Sequence, residues 1–467
     1  MRSHGHSDGL QSALPRAMLR PMKTRILPLL PLAVASALSL NATAGSVALR
    51  NAVAARVDAE YPNLFELYKH FHANPELSLC EKRSAARLAE ELRNAGCEVT
   101  TGVGGLGVVA VLRNGHGPVV LVRADMDALP VQEQTGLSYA SKVVTKDNRG
   151  KDVAVMHACG HDVHMTCLVG TARVIKELKD RWQGTLVLIG QPAEELGGGA
   201  SRMLADGLFT RFPKPDFCLA LHDSAERPAG SVSYTPGFAM ANVDSVDVTV
   251  RGLGGHGAHP DKTKDPVVLA AQIVLALQTI VSREIEPGES AVVTVGSIHG
   301  GTKHNIIPDE VQMQLTVRSY TDEIRKQTLD AIRRIVRGQA AAAGVPEDRL
   351  PLVQVAEDYT AATYNDPKLT ERLAGMFKDW LGETNTTYRK PTMGGEDFGE
   401  YGRTADKIPL CMFDVGAVKP EAVEESKRTG KPLPSLHSPL FAPVPEPTLK
   451  TGITAMTAAV LELMGGK

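Results

Sequence analysis

Four apolar runs do most to limit what this chain can fold into. In "GVVAVLR" (107–113), "PVVLVRAD" (118–125), "GTLVLIGQ" (184–191) and "FCLALH" (217–222), apolar residues follow one another without polar alternation, and helical segments stand between the runs. Strands of that kind are buried on both faces, as in a largely parallel sheet with helices on each side. The expected class is therefore α/β, a mostly parallel sheet flanked by helices. Helical spacing predicts elements at about 51–73, 81–94, 163–179, 366–381 and 448–464, with a short strand at "LCMFDVG".

Near residue 240 the pattern changes. "VDSVDVTVRG" and "EVQMQLTVRSY" alternate polar and apolar residues, and two helical segments, "DPVVLAAQIVLALQTIVSRE" and "TDEIRKQTLDAIRRIVRGQAAAAG", accompany them. Alternating strands on helices predict an α+β domain with one sheet face open to solvent or a partner. It is placed at 240–352, inserted between the two parts of the first domain, 45–239 and 353–467.

The N-terminal part reads differently again. From Met22, two basic residues precede an apolar run from Ile26 to Leu40, and small residues follow at Ala42 and Ala44. This is the layout of a secretory signal peptide cleaved after Ala44, with residues 1–21 as an upstream extension. Pro28 and Pro31 interrupt a run already shorter than the roughly 20 apolar residues that cross a bilayer, so no stable membrane insertion is expected. The protein is expected to be exported, periplasmic or secreted. Losing residues 1–44 removes five basic groups and one acid, taking the formal charge from −2 to −6, which argues against nucleic acid as a partner. An oxidising compartment permits disulfides, but Cys80 and Cys97 are separated by a helix of about 14 residues, about 21 Å. Cys167 and Cys218 stand among apolar residues and read as core.

Ligands of open parallel sheets sit at the carboxyl ends of the strands, and the polar clusters fall there. "RADMDALP" supplies Asp125 and Asp127, "QPAEE" supplies Glu194 and Glu195, and "FCLALH" ends at His222 and Asp223. "MHACGHDVHM" precedes a helix with Asp162 as its expected N-cap. Such residues suit a borderline divalent ion, zinc or manganese. Cys159 and His161 flank Gly160 and can turn to one ion, while the neighbouring carboxyls of Glu194 and Glu195 diverge, so that one can bind metal and the other face substrate. That division suits a hydrolase in which a metal generates hydroxide near neutral pH and a carboxylate moves the proton. Each cluster also has an ordinary role open to it, as a turn, a solvated face or, for His222, a satisfied core histidine. His157 and His164 are expected to support or cap rather than bind.

In order, "RADMDALP", "MHACGHDVHM", "QPAEE", "RGLGGHGAHP", "HNIIPDE", "MGGEDF" and "LHSPLF" resemble the motifs of the aminoacylase and carboxypeptidase-like metallopeptidase family, closest to its N-acyl amino acid amidohydrolase branch, which holds hippurate hydrolase and the auxin-conjugate hydrolases. The resemblance runs from "HANPELSL" to the C-terminal helix. It implies two divalent metal ions per subunit and an inserted domain that acts as lid and dimerises the chain. It implies Cys159 as a bridging thiolate, with His161, Glu195, His222 and His437 completing the ligands. It further implies Glu194 as general acid/base, Asp127 orienting a metal-binding histidine, and His256 and Asn305 reaching the substrate, His256 from its own subunit or across a dimer. The wider family has histidine and aspartate where Asp125 and Cys159 stand, which selects the amidohydrolase branch. Leu196 replaces the branch's usual glycine, and Asp261 stands where a histidine often follows the proline.

The resemblance implies hydrolysis of the amide of an N-acyl amino acid, with Glu194 taking the proton of a metal-bound hydroxide and returning it to the leaving amine. A metallo-carboxypeptidase or dipeptidase shares the same scissile amide and terminal carboxylate. An exported binding protein that keeps the site without activity is the alternative from another class. Arg318 could meet a substrate carboxylate or face solvent.

Overall fold

The computed structural model describes residues 32–465. The upstream segment 1–21 and the first part of the expected leader lie outside them. The chain divides into two compact units, Met1–Asn51 and Ala52–Lys467, and both of the large sheets belong to the second. The first helix, Leu32–Ala73, begins well before the expected residue 51, in an Ala- and Leu-rich stretch of high helix propensity.

The main sheet has eight strands in the order Glu98–Val103, Gly107–Asn114, Gly184–Gln191, Val119–Asp125, Phe217–Pro228, Leu410–Val418, Val232–Tyr234 and Thr386–Tyr388. Its four central strands run parallel, and the antiparallel pairs lie toward the edges. Helices cover both faces, which is why the four apolar runs lack polar alternation. Helices Lys82–Asn94, His161–Glu177 and Pro445–Met464 pack on one side. On the other, Val109, Leu121, Val187 and Ile189 meet Met203, Leu208, Phe398 and Tyr401.

Two expectations need correction. The strand expected to be short at "LCMFDVG" is Leu410–Val418, a buried nine-residue strand near the centre of the sheet. Phe217–Pro228 does not end at His222: it loses its Val119–Asp125 partner after Ala220 but continues along Leu410–Val418. His222 and Asp223 thus stand just beyond the carboxyl edge of the neighbouring strand, where side chains of both can converge.

A second, four-stranded antiparallel sheet runs in the order Ala291–Gly300, Glu310–Ser319, Asn242–Arg251 and Leu352–Val355. Its last strand passes the expected boundary at residue 352. One face carries Val246, Val248, Val250, Met313 and Leu315 against helices Pro266–Thr279 and Asp322–Ala342. Asp265 caps the first helix by accepting the Val267 N–H, and Thr321 caps the second. The segment Pro266–Glu284 is long and apolar enough to cross a membrane by composition, but its buried stripe of Leu269, Ala270, Ile273 and Leu277 belongs to this core.

Candidate metal centre

The loop "HACG" brings a thiol to the carboxyl edge of the sheet. Gly160, at φ 76°, is the N-cap of helix His161–Glu177, and a Cβ there would lie 2.3 Å from the Asp223 carboxylate. Only glycine supplies both the left-handed turn and the close approach. Asp162, expected as the cap, instead lies in the first turn, and its Oδ2 accepts from His72 Nδ1 at 2.7 Å.

Hydrogen bonds fix the tautomers of two histidines. His161 Nδ1 donates to the carbonyl of Asp127 at 2.7 Å, and His222 Nδ1 donates to the carbonyl of Asp223 at 2.7 Å. In the neutral ring each Nε2 carries the lone pair, and His222 Nε2 lies 3.5 Å from Cys159 Sγ. Burial would lower the His161 pKa, but Asp125, Asp127 and Cys159 outweigh it and raise the value well above its usual range. The donor atoms of Cys159, His161 and His222 lie within 4.8 Å of one another, as do those of Cys159, Glu195 and His437. Cys159 belongs to both groups. His437 arrives on a left-handed backbone, φ 65°, tied by its N–H to the carbonyl of Ala158 at 2.8 Å, and its Nε2 is 3.6 Å from Glu195 Oε1.

Burial dominates the electrostatics. It pushes the Cys159 thiol well above its usual range, and it raises Glu195 to about 7, aided by Asp127 and Asp125. Glu194 is also pushed well up, by burial and then by Glu396 and Glu195. His161 Nε2 and Glu195 Oε1 are buried with no hydrogen-bond partner. Orphaned donors beside crowded acids and a thiol fit a divalent cation, which would compensate them all.

The other expected residues fall partly around this centre and partly away from it. Asp127 bonds His161 mainly through its carbonyl. Its carboxylate accepts the N–H groups of Glu194 and Glu195 at 3.1 and 3.0 Å and the Ser78 hydroxyl at 2.6 Å. His164 spans Asp125 at 2.6 Å and Asp223 at 3.1 Å, whereas both ring nitrogens of His157 are buried and unpartnered. His256 and Asn305 come together, since the Gly257 N–H donates to the Asn305 carbonyl, but both are exposed and none of the described contacts joins them to Cys159. Arg318 is half-buried and donates to the Met393 carbonyl at 3.0 Å, beside the "MGGEDF" loop. Leu196 is 63% exposed next to Glu195, and all six cysteines are free.

Beneath the centre lies a network that pattern reading missed. Arg123, fully buried, donates to Asp125 at 2.5 Å, to Glu396 at 2.7 Å and to Asp397 at 3.2 Å, and its Nε meets Gln191 at 3.1 Å. A charged residue inside an apolar strand is the signal that could have found it.

Comparison with known proteins agrees with the resemblance. A hippurate hydrolase of Campylobacter jejuni is 38% identical over 339 residues, 72% of this chain and 84% of its own. Thermostable carboxypeptidase 2 of Saccharolobus solfataricus is 36% identical over 396 residues, 84% and 93%. Among solved structures, Bacillus subtilis YXEP protein, described as a dinuclear metal binding peptidase, superposes with a TM-score of 0.68 at 27% identity, covering 87% of this chain and all of its own. Residues 121–427 match the family described as Peptidase family M20/M25/M40, and the chain belongs to it.

Proposed function

We propose that the protein hydrolyses the amide bond of N-acyl amino acids, with two divalent ions, zinc or manganese, held by Cys159, His161, His222, Glu195 and His437. The observation that carries this reading is Cys159, shared by one donor group with His161 and His222 and another with Glu195 and His437. When bound, such ions supply Lewis acidity toward the scissile carbonyl and acidify water near neutral pH. Glu194 stands beside the donors without a side-chain hydrogen bond among the described contacts, and its raised proton affinity suits a group that takes a proton from water and returns it to the leaving nitrogen. Asp127 holds the amides of Glu194 and Glu195 and, through its carbonyl, the tautomer of His161.

His256 and Asn305 lie together on an exposed piece of the inserted domain, 240–352, and in this reading they complete the site of a second subunit. The dimer would form through that domain, where Leu275, Val268 and Val267 are exposed on helix Pro266–Thr279. The leader read at Met22–Ala44 makes this an exported enzyme.

Hydrolysis of N-acetyl and N-benzoyl amino acids, abolished by chelator and restored by zinc or manganese, tests the reading. The likeness to a carboxypeptidase favours a second reading, cleavage of peptides. Dipeptides in the same panel separate the two, and faster turnover of dipeptides would replace the first reading by the second.

A further inference from the structure

The turn that carries Glu194 and Glu195 gives three successive backbone N–H groups to carboxylates from two other parts of the chain. Asp127 takes those of Glu194 and Glu195, and Glu81 Oε1 takes that of Ala193 at 2.8 Å. Ala193 sits at φ 53°, a left-handed conformation in which the Cβ crowds the following carbonyl oxygen. Such a conformation persists only where the surroundings impose it.

Glu81 is unusual in its own place. It is the residue before helix Lys82–Asn94, where a carboxylate ordinarily caps the free N–H groups of its helix, yet its side chain makes no cap bond. It is fully buried instead, with one oxygen on Ala193 and the other unpartnered. Burying a carboxylate with one oxygen unpartnered is unfavourable for the fold by itself, and its bond across to another segment falls on the residue before Glu194.

We propose that Glu81 is a positioning residue: it holds Ala193 in the left-handed conformation and so sets the directions in which Glu194 and Glu195 leave the turn. The inference rests on the roles assigned above to those two residues. On its far side the turn is closed by the Gly197 N–H, which donates to the Glu194 carbonyl at 2.6 Å, so Glu81 and Asp127 act on the approach to the two glutamates.

The test compares Glu81→Leu, which fills the space but removes the acceptor, with Glu81→Gln, whose amide oxygen can still accept the Ala193 N–H. The substrate is N-acetylmethionine or N-benzoylglycine, whichever turns over faster. Glu81→Leu is expected to lower kcat at least about tenfold with KM changed less than about threefold, and to speed hydrogen exchange at the amides of Ala193, Glu194 and Glu195. Glu81→Gln is expected to keep kcat within about threefold and the exchange protected. An Ala193 amide that exchanges freely in the unsubstituted protein overturns the proposal without any variant. So does a Glu81→Leu protein with unchanged kcat, or a Glu81→Gln protein as impaired as Glu81→Leu. Glu194→Gln is run in parallel. If it keeps its turnover, the functional reading fails. If it is inactive while Glu81→Leu is not impaired, only the role of Glu81 fails.

Discussion

His222 presents Nε2 to the sulfur of Cys159 at 3.5 Å because its Nδ1 is committed to the carbonyl of Asp223. The ring is locked as a donor on one side and a lone pair on the other, which is how a protein prepares a histidine for metal before the metal arrives. The sulfur is the member common to both donor groups. Cys159→Ala is therefore expected to retain less than one ion per chain after dialysis where the unsubstituted protein keeps two, with far-UV circular dichroism unchanged. Elemental analysis decides, and two retained ions would rule out the shared thiolate.

Glu194→Gln keeps the size of the side chain and removes its capacity to take a proton. Turnover is expected to fall at least about 100-fold with both ions retained, because the amide does not disturb Cys159, His161 or Glu195. Steady-state kinetics paired with metal analysis checks both halves of the expectation.

Arg123 is shared by three buried carboxyl groups, Asp125, Glu396 and Asp397. Arg123→Met leaves Asp125 to His164 and takes the counter-charge from Glu396 and Asp397, and removing one partner of a buried ionic group costs about 3–5 kcal/mol. The midpoint of urea unfolding should fall accordingly. A loss below about 1 kcal/mol, the range of an exposed ion pair, would show that the network does not support the centre above it.

His72 lies between Asp162 at 2.7 Å and Glu133 at 3.0 Å. Burial alone would lower its pKa, but the two carboxylates reverse this and raise it from 6.5 to about 10. A raised folded-state pKa contributes stability that is complete below about 6.5 and is lost as pH rises through about 10. Burial works against Asp162 and Glu133 too, and the His72 bonds still leave both below their usual values, so their contribution is lost in acid. His72→Gln should flatten the decline in melting temperature between about pH 7 and 10 relative to the unsubstituted protein. Parallel curves over that interval would exclude the linkage.

On helix Pro266–Thr279, Leu275 is 72% and Val268 55% exposed, on the side opposite the buried stripe. If this face joins two subunits, Leu275→Lys with Val268→Lys should convert a dimer to a monomer in sedimentation. Activity should fall with it, since His256 and Asn305 then have no neighbouring site to complete.

What could be read from sequence was what is local. The four buried strands, the alternation of Glu310–Ser319 and the pairs Cys159/His161 and Glu194/Glu195 all lie within a few residues of their own evidence. His437 was reached only through a resemblance, because nothing near it signals a metal and its approach depends on a left-handed turn and a bond to Ala158. The Arg123 network was invisible as a network, since Asp125 is two residues away but Glu396 and Asp397 come from another part of the chain. The misplaced cap has the same cause: Asp162 is a good capping residue, but the left-handed Gly160, fixed by its close approach to Asp223, starts the helix earlier, and that approach exists only after folding.

The central place of Leu410–Val418 has a consequence for biosynthesis. The strand lies between Phe217–Pro228 and Val232–Tyr234, yet it leaves the ribosome after the whole second sheet has been made. Non-local pairing of this kind is slow, and the earlier strands must wait with an open edge. The catalytic half of the molecule therefore cannot close during translation until its last third is available, and His437 emerges later still. The full donor set proposed for the metal therefore exists only once nearly the whole chain has been made.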